Sequence, residues 1–89
     1  MEKKECTIIG FGKYKSKETN EEMLRIIIGV DSISENYFGT MVVAVHMDYD
    51  KNLEKNLNNA IETGEIVEYT TTDNIVTGKT RIDKFIFQN

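Results

Sequence analysis

The sequence predicts a mainly β domain with one helix, on three observations. Five runs rich in β-branched and aromatic residues are separated by turn-forming residues. One stretch alone, between the third and fourth runs, spaces its apolar residues as a helix does. The chain is 89 residues long and has no linker-like or low-complexity segment, so residues 1–89 are read as a single domain around one core.

The first run, residues 6–14 (Cys-Thr-Ile-Ile-Gly-Phe-Gly-Lys-Tyr), carries two glycines, which in a strand mark bulging or sharp coiling. A polar stretch from Lys15 to Glu22, with Thr19-Asn20 in its middle, separates it from Met23–Asp31. In that second run Ile26-Ile27-Ile28 is apolar on both faces, and the two runs are expected to form a hairpin. Ser32–Asn36 reads as a loop, and Tyr37–Met47 as a third strand centred on Val42-Val43-Ala44-Val45.

The helix is expected over 50–63. Asp48 or Asp50 can accept hydrogen bonds from its first free amides, Leu53, Leu57, Ala60 and Ile61 form one stripe, and Gly64 stands where a left-handed terminating residue is favoured. Ile66–Thr72 and Lys79–Phe87 follow as strands four and five, with Asp73-Asn74 and Thr77-Gly78 as turn chemistry between them. The order β-β-β-α-β-β, with a glycine-bent first strand, is that of a five-stranded OB-fold-like barrel. An open five-stranded sheet with the helix on one face would bury the same Leu53 and Leu57 stripe and is the structural alternative.

Four segments carry a family resemblance. They are the opening Ile8-Ile9-Gly10-Phe11-Gly12, the long second strand ending in Asp31, the helix running into Gly64-Glu65-Ile66-Val67, and the closing Arg81-Ile82-Asp83-Lys84-Phe85-Ile86-Phe87. In this layout the chain resembles the bacterial and phage single-stranded-DNA-binding proteins, in a shortened, divergent form such as mobile elements carry. Gly64–Val67 is similar to that family's Gly-Asp-x-Val lead-in to the fourth strand. The resemblance implies non-enzymatic binding of single-stranded nucleic acid, DNA favoured, in replication, recombination or transfer of a mobile element. The family's base-stacking tryptophans have no counterpart, since the chain has no Trp, and no acidic tail follows Asn89, so tail-mediated recruitment is not carried over.

Composition narrows the function classes. Hydrophobic residues at 39% and charged residues at 29% are the balance of a folded chain. A net charge of −4 excludes a wholly basic, histone-like binder, because duplex affinity comes mostly from phosphate neutralisation, but it leaves room for a local basic face. The single Cys6 cannot form an internal disulfide and the N-terminus lacks the apolar segment of a secretory signal, so a cytoplasmic location is expected. No apolar run approaches the roughly 20 residues of a membrane helix. A core this small would gain burial from association into a homo-oligomer.

Single-strand binders stack aromatic faces on bases and follow the phosphates with cations. Lys13, Lys15 and Lys17 surround Tyr14 and would share one face if the strand persisted through them; the other reading is a solvated hairpin tip beside Glu18, Glu21 and Glu22. Tyr37, Tyr69 and Tyr14 stand between base stacking and packing with a wet hydroxyl, whereas Phe11, Phe38, Phe85 and Phe87 are read as core. Arg25, Lys79 and Arg81 complete the candidates; the two arginines could equally pair with carboxylates such as Glu68 or Asp83.

No catalytic residue is assigned. His46, among Val45 and Met47, is expected to be a satisfied, partly buried histidine, and Cys6 a core residue. One Cys and one His make no zinc set, Asp48-Tyr49-Asp50 lacks the spacing of a calcium loop, and Gly10-Phe11-Gly12 lacks the third glycine and following helix of a dinucleotide site. No metal or cofactor is therefore expected. A second function class stays open: an acidic protein-interaction module that binds or inhibits a partner protein through an exposed edge. Negative charge segregated from Lys13–Lys17 favours nucleic acid; negative charge merged with them favours the protein partner.

Overall fold

The computed structural model describes residues 4–33 and 38–87. It is mainly β with one helix: β1 (Glu5–Lys15), β2 (Glu22–Ile33), β3 (Phe38–Asp48), α1 (Lys51–Thr63), β4 (Ile66–Asp73) and β5 (Thr80–Ile86). All pairings are antiparallel and the sheet order is β3-β2-β1-β4-β5. β1 is the hub. Its first residues pair with β4 and most of its length pairs with β2, the OB-like arrangement that lets one strand serve both halves of a curled sheet. β3 and β5 end the ladder, so among the described residues the sheet is OB-like in order, with no pairing between these two strands.

The glycine-marked bend of β1 is a β-bulge between Ile8 and Gly10. Ile8 faces Ile28 and Gly10 faces Ile27, leaving Ile9 as the extra residue. Cys6 and Ile8 therefore point inward before the bulge, while Gly10, Gly12 and Tyr14 share the outer face after it. Without that insertion the whole distal half of the strand would present its other face.

The inward face holds Cys6, Ile8, Leu24, Ile26, Ile28, Val45, Val67 and Phe85, closed at one end by Leu57 and Ala60 of α1. Asp50 caps the helix, its carboxylate accepting from the amides of Asn52 at 2.7 Å and Leu53 at 3.3 Å, which contributes about 1 kcal/mol. Gly64 ends it in the left-handed region at φ 69°, its amide donating to the Ala60 carbonyl. Leu57 and Ala60 are buried and Leu53 is partly so, but Ile61 at the end of the expected stripe lies at the exposed boundary.

Cys6 is 3% exposed, and burial pushes its thiol from the ordinary 9.0 up to about 11. In the unfolded chain the thiol ionises first. Its contribution to stability is thus complete below about pH 9 and is lost as the pH rises towards about 11, by on the order of 2 kcal/mol. Urea unfolding at about pH 8 and about pH 11 is expected to show a fall in stability that is smaller by this amount in Cys6→Val, a variant with no group to ionise. An equal fall in both proteins would contradict it.

Candidate nucleic-acid interface

Register fixes what the outer face of β1, β2 and β3 displays. Row by row across the three strands it carries Tyr14, Met23 and Asp48, then Gly12, Arg25 and His46, then Gly10, Ile27 and Ala44, then Thr7, Gly29 and Val42. Because Gly12 contributes no side chain, the second row is open between Tyr14, Arg25 and His46.

Tyr14 and His46 meet across that opening. The Tyr14 hydroxyl and His46 Nδ1 are hydrogen-bonded at 2.8 Å, and the rings stand edge to face with centroids 5.7 Å apart and planes at 88°. Tyr14 is 38% exposed, and Arg25 and His46 are exposed too. His46 is thus a surface residue locked to a tyrosine, and the expectation of a partly buried histidine is corrected. Val42–Val45 is apolar at every position, so only the register decides that Val43 and Val45 face inward and Ala44 and His46 outward.

His46 also lines a cleft of about 770 Å³ between the two strands at the ends of the ladder. Val43, Val45 and Met47 of β3, Tyr49, Leu53 and Ile82 give it apolar walls; Arg81 supplies a cation, and Asp48, Asp50 and Asp83 supply carboxylates. Lys13 stands over Tyr49, one of these walls, its Nζ 4.6 Å from the centre of the ring. The Tyr49 hydroxyl donates to Glu54 Oε1 at 3.1 Å, and this bond to a carboxylate is the main reason its ionisation is shifted upward.

The other predicted residues fall elsewhere. Lys13 and Lys15 lie on β1 in the opposite phase to Tyr14, and Lys15 faces Glu22 across the hairpin. β1 ends at Lys15, and Lys17 sits in the turn 17–19, where Ser16 and Glu21 close the backbone and Asn20 takes a positive φ of 60°. The single-faced track of Lys13, Lys15 and Lys17 around Tyr14 is therefore not formed. Tyr69 faces Phe85 in the β4–β5 ladder and packs against the core, with desolvation raising its ionisation. Lys79 is exposed in the β4–β5 turn, one residue before the strand it was expected to open. Arg81 is exposed on β5 opposite Thr72. Neither Glu68 nor Asp83 neighbours Arg25 in the ladder. Tyr37 lies outside the described residues.

The sequence reading missed His46 as a partner of Tyr14 and Tyr49 as a seat for Lys13. Each pair is joined only by the fold, 32 residues apart in the first case, and no local pattern announces either. Compared with family models, curated proteins and solved structures, the chain matches none. Among the described residues no helix is long and apolar enough to cross a membrane.

Proposed function

We propose that this domain binds single-stranded nucleic acid, DNA in preference to RNA, on the outer face of β1–β3, without catalysing a reaction, during replication, recombination or transfer of a mobile element. The observation that carries the reading is the group Tyr14, His46 and Arg25 around the side-chain-free Gly12. It offers two ring faces and a permanent guanidinium beside a flat strip of backbone, which suits a stacked base and its phosphate. In OB-like folds the strand 2–3 face, flanked by the loops joining strands 1–2 and 4–5, is the oligonucleotide surface, and those loops here carry Lys17 and Lys79. Arg81 in the adjoining cleft and Lys13 on the Tyr49 ring add two cations nearby, offset by the cleft's Asp48, Asp50 and Asp83. The cytoplasm, where the lone Cys6 would stay reduced, suits this role.

Fluorescence anisotropy with a labelled oligothymidine tests it against a duplex of equal length. With three or four phosphate contacts, affinity for the single strand is expected to fall roughly 20- to 50-fold between about 50 and 200 mM salt. The duplex is expected to bind more weakly at both salts. Equal binding of both nucleic acids, or none, removes the proposal.

One observation favours the second reading, a protein-interaction module. Lys15 is opposed by Glu22, and Glu18 shares the turn with Lys17, so acidic and basic residues are merged at that hairpin tip. β3 and β5, the two ends of the ladder, flank a cleft, and strand addition at such an edge is one mode of peptide capture. Oligonucleotide-independent capture of an extended peptide at β3 would distinguish this mode.

A further inference from the structure

Two apolar features of the surface are unused by the Tyr14–Arg25–His46 group. The first is the tip of the β4–β5 hairpin, where Ile75 and Val76 are 97% and 94% exposed. The tip is firmly built: Asn74 Oδ1 accepts from the amides of Val76 at 2.9 Å and Thr77 at 3.1 Å, the Gly78 amide donates to the Asn74 carbonyl at 2.7 Å, and Gly78 holds φ at 70°. A turn needs none of its aliphatic side chains in water, and turns ordinarily use small polar residues there. This one holds two β-branched side chains outward as a fixed knob.

The second is a platform on the outer face of the sheet. One cross-strand row runs Val42, Gly29, Thr7, Ile66 through β3, β2, β1 and β4. Val42 is 63% exposed and Ile66 54%. The bulge residue Ile9, 51% exposed, lies over Gly29, where its Cδ1 stands 3.3 Å from the place a Cβ would take. The result is a low aliphatic surface without a charge in its row, four strands or about 15 Å across at ordinary strand spacing. It is separated from the Arg25 row by about 13 Å along β2, so both ends of the face can be occupied together.

We infer that the hairpin tip of one copy of this chain docks on the outer-face platform of a second copy, giving head-to-tail self-association. Charge complementarity selects the occupant. Glu5 and Glu68, in register with each other, stand with Ile86 in the row next to the platform and Lys84 lies one row beyond, two carboxylates to one cation. Lys79 and Arg81 stand beside the tip with Asp73, two cations to one carboxylate. The carboxylates beside the platform disfavour a nucleic-acid occupant there and favour a knob flanked by cations. A face-to-face dimer would oppose the Glu5–Glu68 rows or leave the knob bare; one heterologous contact covers both features. Such a contact repeats from copy to copy, which produces a ring or an open row of domains. Its area is well below the roughly 800 Å² per partner of a standard interface, so the association is weak and depends on concentration.

Sedimentation velocity in nucleic-acid-free buffer, with circular dichroism to confirm folding, tests this with three proteins. The natural chain is expected to show a rising sedimentation coefficient up to about 1 mM, the weak end of specific association. The tip variant, Ile75→Ser with Val76→Ser, and the platform variant, Val42→Lys, are each expected to stay monomeric alone. Mixed in equal amounts they are expected to form a species of two chains and no larger, because the platform variant keeps its tip and the tip variant keeps its platform. A monomeric natural chain over the whole range, self-association of either variant alone, or a mixture that stays monomeric would each overturn the inference.

Discussion

Replacing Ile26 with alanine is expected to destabilise the domain by about 2–5 kcal/mol, a large part of the stability of a chain this small. Ile26 is fully buried in the middle of β2, between Phe11 of β1 and Val45 of β3, where the sheet carries its core. Its neighbours are held by ladders on both sides and cannot close over the missing atoms, so both the transfer and cavity costs apply. Ile27→Ala, one residue along and directed to the outer face, is expected to cost far less. Urea unfolding of the two variants checks the difference. Similar midpoints would mean that the register of β2 is not the one described.

The second large effect concerns binding. Tyr14→Ala combined with Arg25→Ala is expected to lower affinity for an oligothymidine by about a hundredfold. Losing one stacked base removes about 1–3 kcal/mol, and losing one phosphate contact removes a further share. Each single change is expected to cost about tenfold, whereas Lys55→Ala, exposed on α1, leaves affinity unchanged. Tyr14→Phe separates two roles of that residue. It keeps the ring and removes the hydroxyl bonded to His46, so retained affinity assigns the effect to stacking and lost affinity assigns it to the orientation of His46.

Local signals made the elements legible. Asp50 and Gly64 bound the helix because an N-cap carboxylate and a left-handed residue act within one turn of themselves. Asn74 and Gly78 mark the last hairpin for the same reason. The phase of the strands was less accessible. Ile26–Ile28 and Val42–Val45 are apolar on both faces, so period two cannot say which side chains are buried, and the bulge at Ile9 shifts the distal half of β1 by one residue. That single insertion decides that Tyr14 takes the outer face, whereas the alternation of the strand itself sets Lys13 and Lys15 on the side opposite it.

The same limit applies to the interface. Arg25 and Tyr14 were identifiable as candidates because a cation in an apolar strand and a tyrosine among lysines are both unusual. Their partner His46 was not, since its orientation depends on pairing between β2 and β3. Lys17 lost its place because β1 stops at Lys15 and Asn20, at φ 60°, turns the chain back. Tyr69 was drawn inward by its alignment with Phe85.

The most direct measurement is an amide-resolved NMR titration of the isotope-labelled protein with a short oligothymidine. The nucleic-acid reading predicts that the largest shifts fall on Gly12, Tyr14, Arg25, Ile27, Ala44 and His46, the outer rows of β1, β2 and β3. Shifts confined to α1 or to β4, or a spectrum unchanged by saturating oligonucleotide, would contradict it.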